Sequence, residues 1–283
     1  MKSLPSILPN LEPRGAWICQ VAIHTTRPDH SLEISAFLRN SLAAGRDPSN
    51  WLKYVRVTIR TVPQELPSVS AGAPPVGGFI HLPEKPSGDA LALTHGAGGD
   101  CNGVLLVILA NSFAAAGLTV LRCDLPFRRR RPHGPPHPGD AERDQEGLSQ
   151  AVALLRQRSA RRVFLGGHSY GGRQATLLLA AQAGLADGLL LLSYPLYMPG
   201  QPSRQRKAHF PNLTTPALFI HGTRDPFGTI EELQAAVSLI PAPTRLLAVE
   251  TAGHNLLTKH NREQLPQVIV QAFHAHFHLD RTV

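Results

Sequence analysis

The sequence predicts an α/β fold: a mostly parallel, twisted sheet with helices on both faces and little or no cap. Three observations carry this expectation. From Ala90 onward, short apolar runs alternate with longer helix-like runs, which is the pattern of βαβ units joined by right-handed crossovers. The apolar runs are continuous, as in strands buried on both faces. The polar residues with chemical potential come directly after those runs, where the strands of an open parallel sheet end.

Residues 1–50 carry Pro5, Pro9, Pro13, Pro28 and Pro48 and only short apolar pieces such as Trp17 to Ile23. With no sustained period they read as an N-terminal extension, either partly disordered or packed over the sheet, ahead of a main domain at 51–283. Val55, Val57, Ile59 and Thr61 alternate as a strand would, with Gly77 to Leu82 as hairpin partner and Pro63 to Pro75 as the loop between. Strands are then expected at Ala90–Leu93, Leu118–Arg122, Val163–Gly166, Gly188–Ser193, Ala217–His221 and Arg245–Val249. Helices fall near 102–116, 140–158, 172–184, 229–240 and 263–277. The fourth helix has a start signal, because Thr229 and Glu232 can form a capping box. The stretch between Ser193 and Ala217 is too short for a helical cap, which predicts an open site. Tyr194, Tyr197, Met198 and Phe210 in that stretch either line a pocket or pack in the core.

The densest chemistry lies in Gly167-His168-Ser169-Tyr170-Gly171, between the apolar run Val163 to Leu165 and the helix-like run Gln174 to Ala181. Strand, tight turn and helix make a nucleophile elbow: the serine sits on a strained turn at a strand tip, and the flanking glycines let two backbones approach. Ser169 is the candidate nucleophile. The pentapeptide alone is a weak signal, and its surroundings supply the rest. His95-Gly96-Ala97-Gly98-Gly99 follows Leu91 to Leu93 and suits a loop that turns amides toward an oxyanion. Asp225 follows Ala217 to Ile220, and His254 follows Leu246 to Val249. A serine hydroxyl needs a base to take its proton, which His254 can do, and a carboxylate such as Asp225 would fix the imidazole tautomer. The backbone N–H of Tyr170 and one from Ala97 or Gly98 are the candidate oxyanion donors. His95 reads as a structural residue bonding that loop, and Asp124, at another strand end, is a rival acid.

These elements resemble the α/β-hydrolase superfamily over roughly residues 55–278. Leu93-Thr94-His95-Gly96-Ala97-Gly98, together with Arg122-Cys123-Asp124-Leu125-Pro126-Phe127 and the arginines behind it, resembles one compact branch. That branch holds the hydrolase-like domain of testis-expressed protein 30 and its bacterial relatives, near the dienelactone hydrolases. The resemblance implies an α/β-hydrolase fold and the chain order Ser169, Asp225, His254, which favours Asp225 over Asp124. Ser169 stands where dienelactone hydrolases carry cysteine.

Composition narrows the function further. With 42% hydrophobic and 17% charged residues, a chain of 283 residues can bury a large single core. The cysteines Cys19, Cys101 and Cys123 are odd in number and far apart, which suggests no disulfide framework and a reducing, cytoplasmic setting. Residues 1–10 do not read as a signal peptide, and the longest apolar stretch, Val104 to Ala110, is too short to cross a bilayer. The net charge of +8 is densest at Arg128 to Arg131. That run is read first as a solvated loop paired with carboxylates such as Asp140 and Glu142, and second as a lure for an anionic substrate. Nucleic acid is disfavoured because no aromatic residues interleave with the arginines. His274 and His278 can share a helix face, but a zinc site needs three or four ligands and no acidic or cysteine cluster adjoins them, so no metal is expected. The leading expectation is a cofactor-independent serine hydrolase acting on a small-molecule acyl ester, thioester or amide, without a membrane or nucleic-acid partner. A non-enzymatic interaction domain retaining the fold, and acyl transfer or perhydrolysis at the same serine, are the alternatives.

Overall fold

The structure, a computed structural model, describes residues 64–65, 76–158 and 161–279 in full, and 17–25, 32–40 and 55–59 as backbone strands. The chain divides into two units between Val62 and Pro63. In the first, β1 (Trp17–Thr25), β2 (Leu32–Asn40) and β3 (Val55–Ile59) form an antiparallel sheet in that order, with Trp17 opposite Asn40 and Leu32 opposite Ile59.

The second unit holds β4 (Gln64–Glu65), β5 (Gly77–His81), β6 (Ala90–Thr94), β7 (Thr119–Asp124), β8 (Val163–His168), β9 (Gly188–Leu192), β10 (Ala217–Gly222) and β11 (Thr244–Val249). They form an open sheet in the order β11-β10-β9-β8-β6-β7-β5-β4, in which neighbours from β11 to β7 are parallel and only the β5 and β4 edge is antiparallel. The helices are α1 (Val104–Ala115), α2 (Pro126–Arg130), α3 (Ala141–Arg158), α4 (Tyr170–Ala181), α5 (Ile230–Val237) and α6 (Leu265–His276). This is the α/β-hydrolase fold expected above.

Two elements differ from expectation. The hairpin between Val55–Thr61 and Gly77–Leu82 does not form: β3 pairs with β2, whereas β5 pairs with β7 from Gly77↔Asp124 to His81↔Val120. Alternation marks a strand but not its partner, and β5 finds a buried neighbour in β7, where Ile80 and His81 lose their solvent. The arginine run is also not a loop. Pro126 occupies the first helical position, where its missing N–H costs nothing, and Arg128 to Arg130 lie in α2, with Arg131 extended just beyond it.

The strands are apolar throughout because both faces are covered. Ala90 and Ala92 of β6 and Leu189 and Leu191 of β9 join one core, whereas Leu91, Leu93, Leu190 and Leu192 join the other. Helices α3, α4 and α5 cover the first core and α1 and α6 the second. On the second face Phe273 is fully buried and meets Phe113, Phe164 and Phe277 at ring centroid distances of 5.0, 4.9 and 4.7 Å. These edge contacts fasten α1 and α6 to β8.

The connectivity sets where chemistry can gather. From β6 the chain moves outward to β7, then returns to the other side of β6 as β8 and continues through β9, β10 and β11. The strand order therefore reverses between β6 and β8, and a crevice opens beyond their carboxyl ends. The segments leaving that crevice are His95–Gly99 and Ser169–Tyr170.

Truncating the aromatic anchor tests the two-faced core. Phe273→Ala is expected to destabilise the protein by about 3–5 kcal/mol in urea unfolding; a loss below about 1 kcal/mol would show that the cluster does not fasten the helices.

Candidate active site

Ser169 sits between β8 and α4 with φ 51° and ψ −115°, a left-handed conformation that costs a non-glycine residue about 1–3 kcal/mol. The turn is held by Ser169 N–H donating to the Leu192 carbonyl at 2.8 Å and by Arg173 N–H donating to the Ser169 carbonyl at 3.0 Å. Its glycines are sterically required. A Cβ on Gly171 would lie 2.5 Å from the His95 carbonyl, and one on Gly167 would lie 2.5 Å from the Gly172 nitrogen. Tyr170 anchors the turn through its hydroxyl, which donates to Asp144 at 2.8 Å, while Asp144 also accepts the Phe127 N–H at 3.0 Å. As the first residue of α4, Tyr170 has a backbone N–H with no partner inside the helix.

Three side chains expected from sequence meet in a hydrogen-bonded chain. His254 Nδ1 lies 2.8 and 3.0 Å from the two Asp225 carboxylate oxygens, and His254 Nε2 lies 2.8 Å from Ser169 Oγ. An ionised carboxylate only accepts, so Nδ1 carries the proton and donates to Asp225; Nε2 then accepts from the serine hydroxyl. Burial works against the Asp225 charge, but the His254 bond, the Phe227 N–H at 2.9 Å and the neighbouring histidines outweigh it and hold its pKa below the ordinary value.

The loops that bring these groups together are stitched by backbone. Thr223 N–H donates to the Val249 carbonyl, Arg224 N–H to that of Ala252, and Thr251 N–H to the Thr223 hydroxyl. Two positioning residues escape the sequence reading. His168 donates from Nε2 to the His254 carbonyl at 2.8 Å, and Phe227 stacks on the His254 ring at 4.1 Å with planes 30° apart. Each adjoins a residue that was identified, His168 preceding Ser169 and Phe227 two places beyond Asp225, yet neither has a spacing signal of its own.

The His95–Gly99 loop is fixed from behind. His95 Nδ1 donates to the Gly96 carbonyl at 2.8 Å and Nε2 accepts the Leu125 N–H at 3.1 Å, so the buried ring is neutral and structural. Asp124 accepts the Cys101 N–H at 2.7 Å and stands apart from the Ser169 relay. Arg128 is the correction to the sequence reading. It is buried, and its five N–H donors reach five carbonyls, those of Ala97, Gly99, Arg131, Pro132 and Gly134, at 2.8–3.1 Å. Arg130 and Arg131 both bind Asp140 at 2.6 Å, as the solvated-loop reading expects. The run thus splits by packing that no local signal encodes.

A cavity of about 1110 Å³ lies over Ser169, lined in part by Ala97, Gly98, Tyr170, Phe227 and His254. Of the four apolar candidates after β9, only Met198 lines it; Tyr194, Tyr197 and Phe210 are buried in the core. Residues 193–216 contain no α-helix, so no helical cap is inserted there. Among the described residues no group of three or more His, Cys, Asp or Glu could hold a metal, and no helix is long and apolar enough to cross a membrane.

A family profile described as an alpha/beta hydrolase domain matches residues 87–278. Solved structures of similar fold include an alpha-beta serine hydrolase homologue from Coxiella burnetii, at 16% identity and TM-score 0.59, covering 75% of this chain and 97% of that one. Dienelactone hydrolase from Anabaena variabilis is similar at 22% identity and TM-score 0.60, covering 76% and 98%. A serine hydrolase without lid from Xanthomonas campestris is similar at 16% and 0.61, covering 79% and 98%.

Burial pushes His81, His168 and His209 down to about 4, from an ordinary histidine value near 6.5. Between those values the unfolded chain binds protons that the folded chain refuses, so stability falls as pH falls. The Tm is expected to decline steadily from pH ~6.5 to pH ~4; a flat Tm across that window would contradict neutral burial of these rings.

Proposed function

This chain belongs to the alpha/beta hydrolase domain family, and on that premise we propose that it is a serine hydrolase cleaving an ester of a small acyl group through an acyl-enzyme on Ser169. The observation that carries the reading is the unbroken run of hydrogen bonds from Ser169 through His254 to Asp225. In this scheme Ser169 Oγ attacks the acyl carbonyl while His254 Nε2 takes its proton. Asp225 keeps the imidazole in the required tautomer and stabilises the imidazolium. The tetrahedral oxyanion is met by the Tyr170 amide and by one from Ala97 or Gly98. The proton then passes to the departing alcohol, and water repeats the sequence to free the acid.

Arg128 has a part in this reading. By holding the Ala97 carbonyl it fixes the peptide plane that also carries the Gly98 N–H, and in a trans peptide that N–H points the opposite way. A preorganised donor needs such a restraint. An ester is favoured over an amide because no cap is inserted over the cavity. The intact relay weighs against a purely non-enzymatic domain.

A fluorophosphonate probe is expected to label the full chain, with Ser169→Ala unlabelled and His254→Ala labelled at least about 100-fold more slowly. Equal labelling of the wild type and Ser169→Ala would end the nucleophile assignment. Arg128→Lys is expected to lower kcat for p-nitrophenyl butyrate by about 10–100-fold with little change in KM. An unchanged kcat in the folded variant would remove Arg128 from the oxyanion argument.

A further inference from the structure

We propose that Arg173 and Arg206 form an anion-binding subsite in the cavity beside Ser169, so that the ester taken there carries a free carboxylate. The inference rests on the hydrolase reading for its ester and on separate observations for its charge.

Both arginines line the cavity over Ser169. Arg173 lies four residues after Ser169 in the first turn of α4, which places it over the same helix face. Arg206 is fixed through its backbone: its carbonyl accepts the Tyr194 hydroxyl at 2.7 Å, and its N–H donates to the Leu196 carbonyl at 2.7 Å. One hydroxyl joins the two segments. Thr176 Oγ1 donates to the Arg173 carbonyl at 2.8 Å and accepts from His209 Nε2 at 2.8 Å.

The charges are uncompensated. Among the described residues no carboxylate bonds to either guanidinium, and Arg173 Nε is buried without a partner. Arg128, by contrast, has every donor filled. Burial and then the Arg173 charge hold the Arg206 pKa below its ordinary value, and His209 is neutral beside them. Two guanidiniums that repel each other, at the positive end of a helix, are stabilised when an anion enters between them. Their planar forks suit the two oxygens of a carboxylate. The lining also carries Lys259 and Arg262, but these are exposed, so salt screens them and they impose no fixed geometry.

The carboxylate can sit on the acyl or the alcohol side, and two substrate pairs separate these. The first is mono-p-nitrophenyl glutarate against p-nitrophenyl pentanoate; the second is 4-carboxyphenyl butyrate against phenyl butyrate, each corrected for its hydroxide rate. The full chain is expected to prefer the carboxylate-bearing member of at least one pair by about tenfold or more in kcat/KM. Arg173→Gln or Arg206→Gln should collapse that ratio to within about threefold, with part of it restored by Arg173→Lys. No preference in either pair, or a preference that survives both Gln substitutions, overturns the subsite. Calorimetry of glutarate with the Ser169→Ala chain gives a reading independent of turnover. Glutarate binding that is lost when Arg173→Gln or Arg206→Gln is added supports the subsite even where no ester is cleaved, and absence of binding counts against it. If one Gln variant fails to fold, the other carries the comparison.

Discussion

A parallel sheet covered on both faces leaves almost no place for polar chemistry except its ends. The apolar side chains of β6, β9 and β10 all face a hydrophobic core, so an unpaired polar group among them would cost several kcal/mol. Six of the buried polar residues, Thr94, His95, Ser169, Ser193, His221 and Asp225, lie at or just past the carboxyl ends of strands. At the opposite edge Asp89 is instead consumed by a structural ion pair with Arg162, 3.0 Å between Oδ2 and Nη2. Because the strand order reverses between β6 and β8, the carboxyl-end groups converge on one crevice, and the site follows from the topology before any motif is considered.

That crevice concentrates histidines, and their differing burial gives them different work. His95 and His221 are buried and His168 is half-buried, and desolvation lowers the pKa of each. A neutral ring donates from one nitrogen and accepts at the other, and these rings use their donors on carbonyls: Gly96 for His95, His254 for His168, Gly228 for His221. They serve as rigid spacers. His254 faces the cavity with one nitrogen on a carboxylate and the other on a hydroxyl. The one buried carboxylate in the relay is stabilised by the proton His254 offers it, so the charge that polarises the chain is held where solvent cannot disperse it.

Local sequence made much of this legible, for a physical reason. The elbow, the capping box at Thr229 and Glu232, and the placement of Asp225 and His254 after apolar runs are short-range constraints in which the residue type is dictated by its own backbone. Tertiary choices were not readable in that way. The alternation at Val55–Ile59 is the same whether its partner is β2 or β5, so the hairpin expectation had no means of choosing. Tyr194 and Phe210 look alike as pocket linings or core residues until β10 is laid beneath them, and there both rings pack on Phe219. His168 and Phe227 act on His254 from distant positions in the chain, which periodicity cannot register.

The arginines show most sharply why composition misleads. Counted as charge, Arg128, Arg130 and Arg131 give one basic patch, yet Arg128 has its donors on carbonyls while Arg130 and Arg131 share Asp140, which leaves few guanidinium donors to hold a ligand. The arginines that line the cavity lie elsewhere, at Arg173 and Arg206. The distinction is one of saturation. A guanidinium with all five donors filled is a structural strut whose removal strands several buried carbonyls. One at a cavity wall with no carboxylate among the described residues on its guanidinium, as at Arg173, retains its capacity to bind an anion.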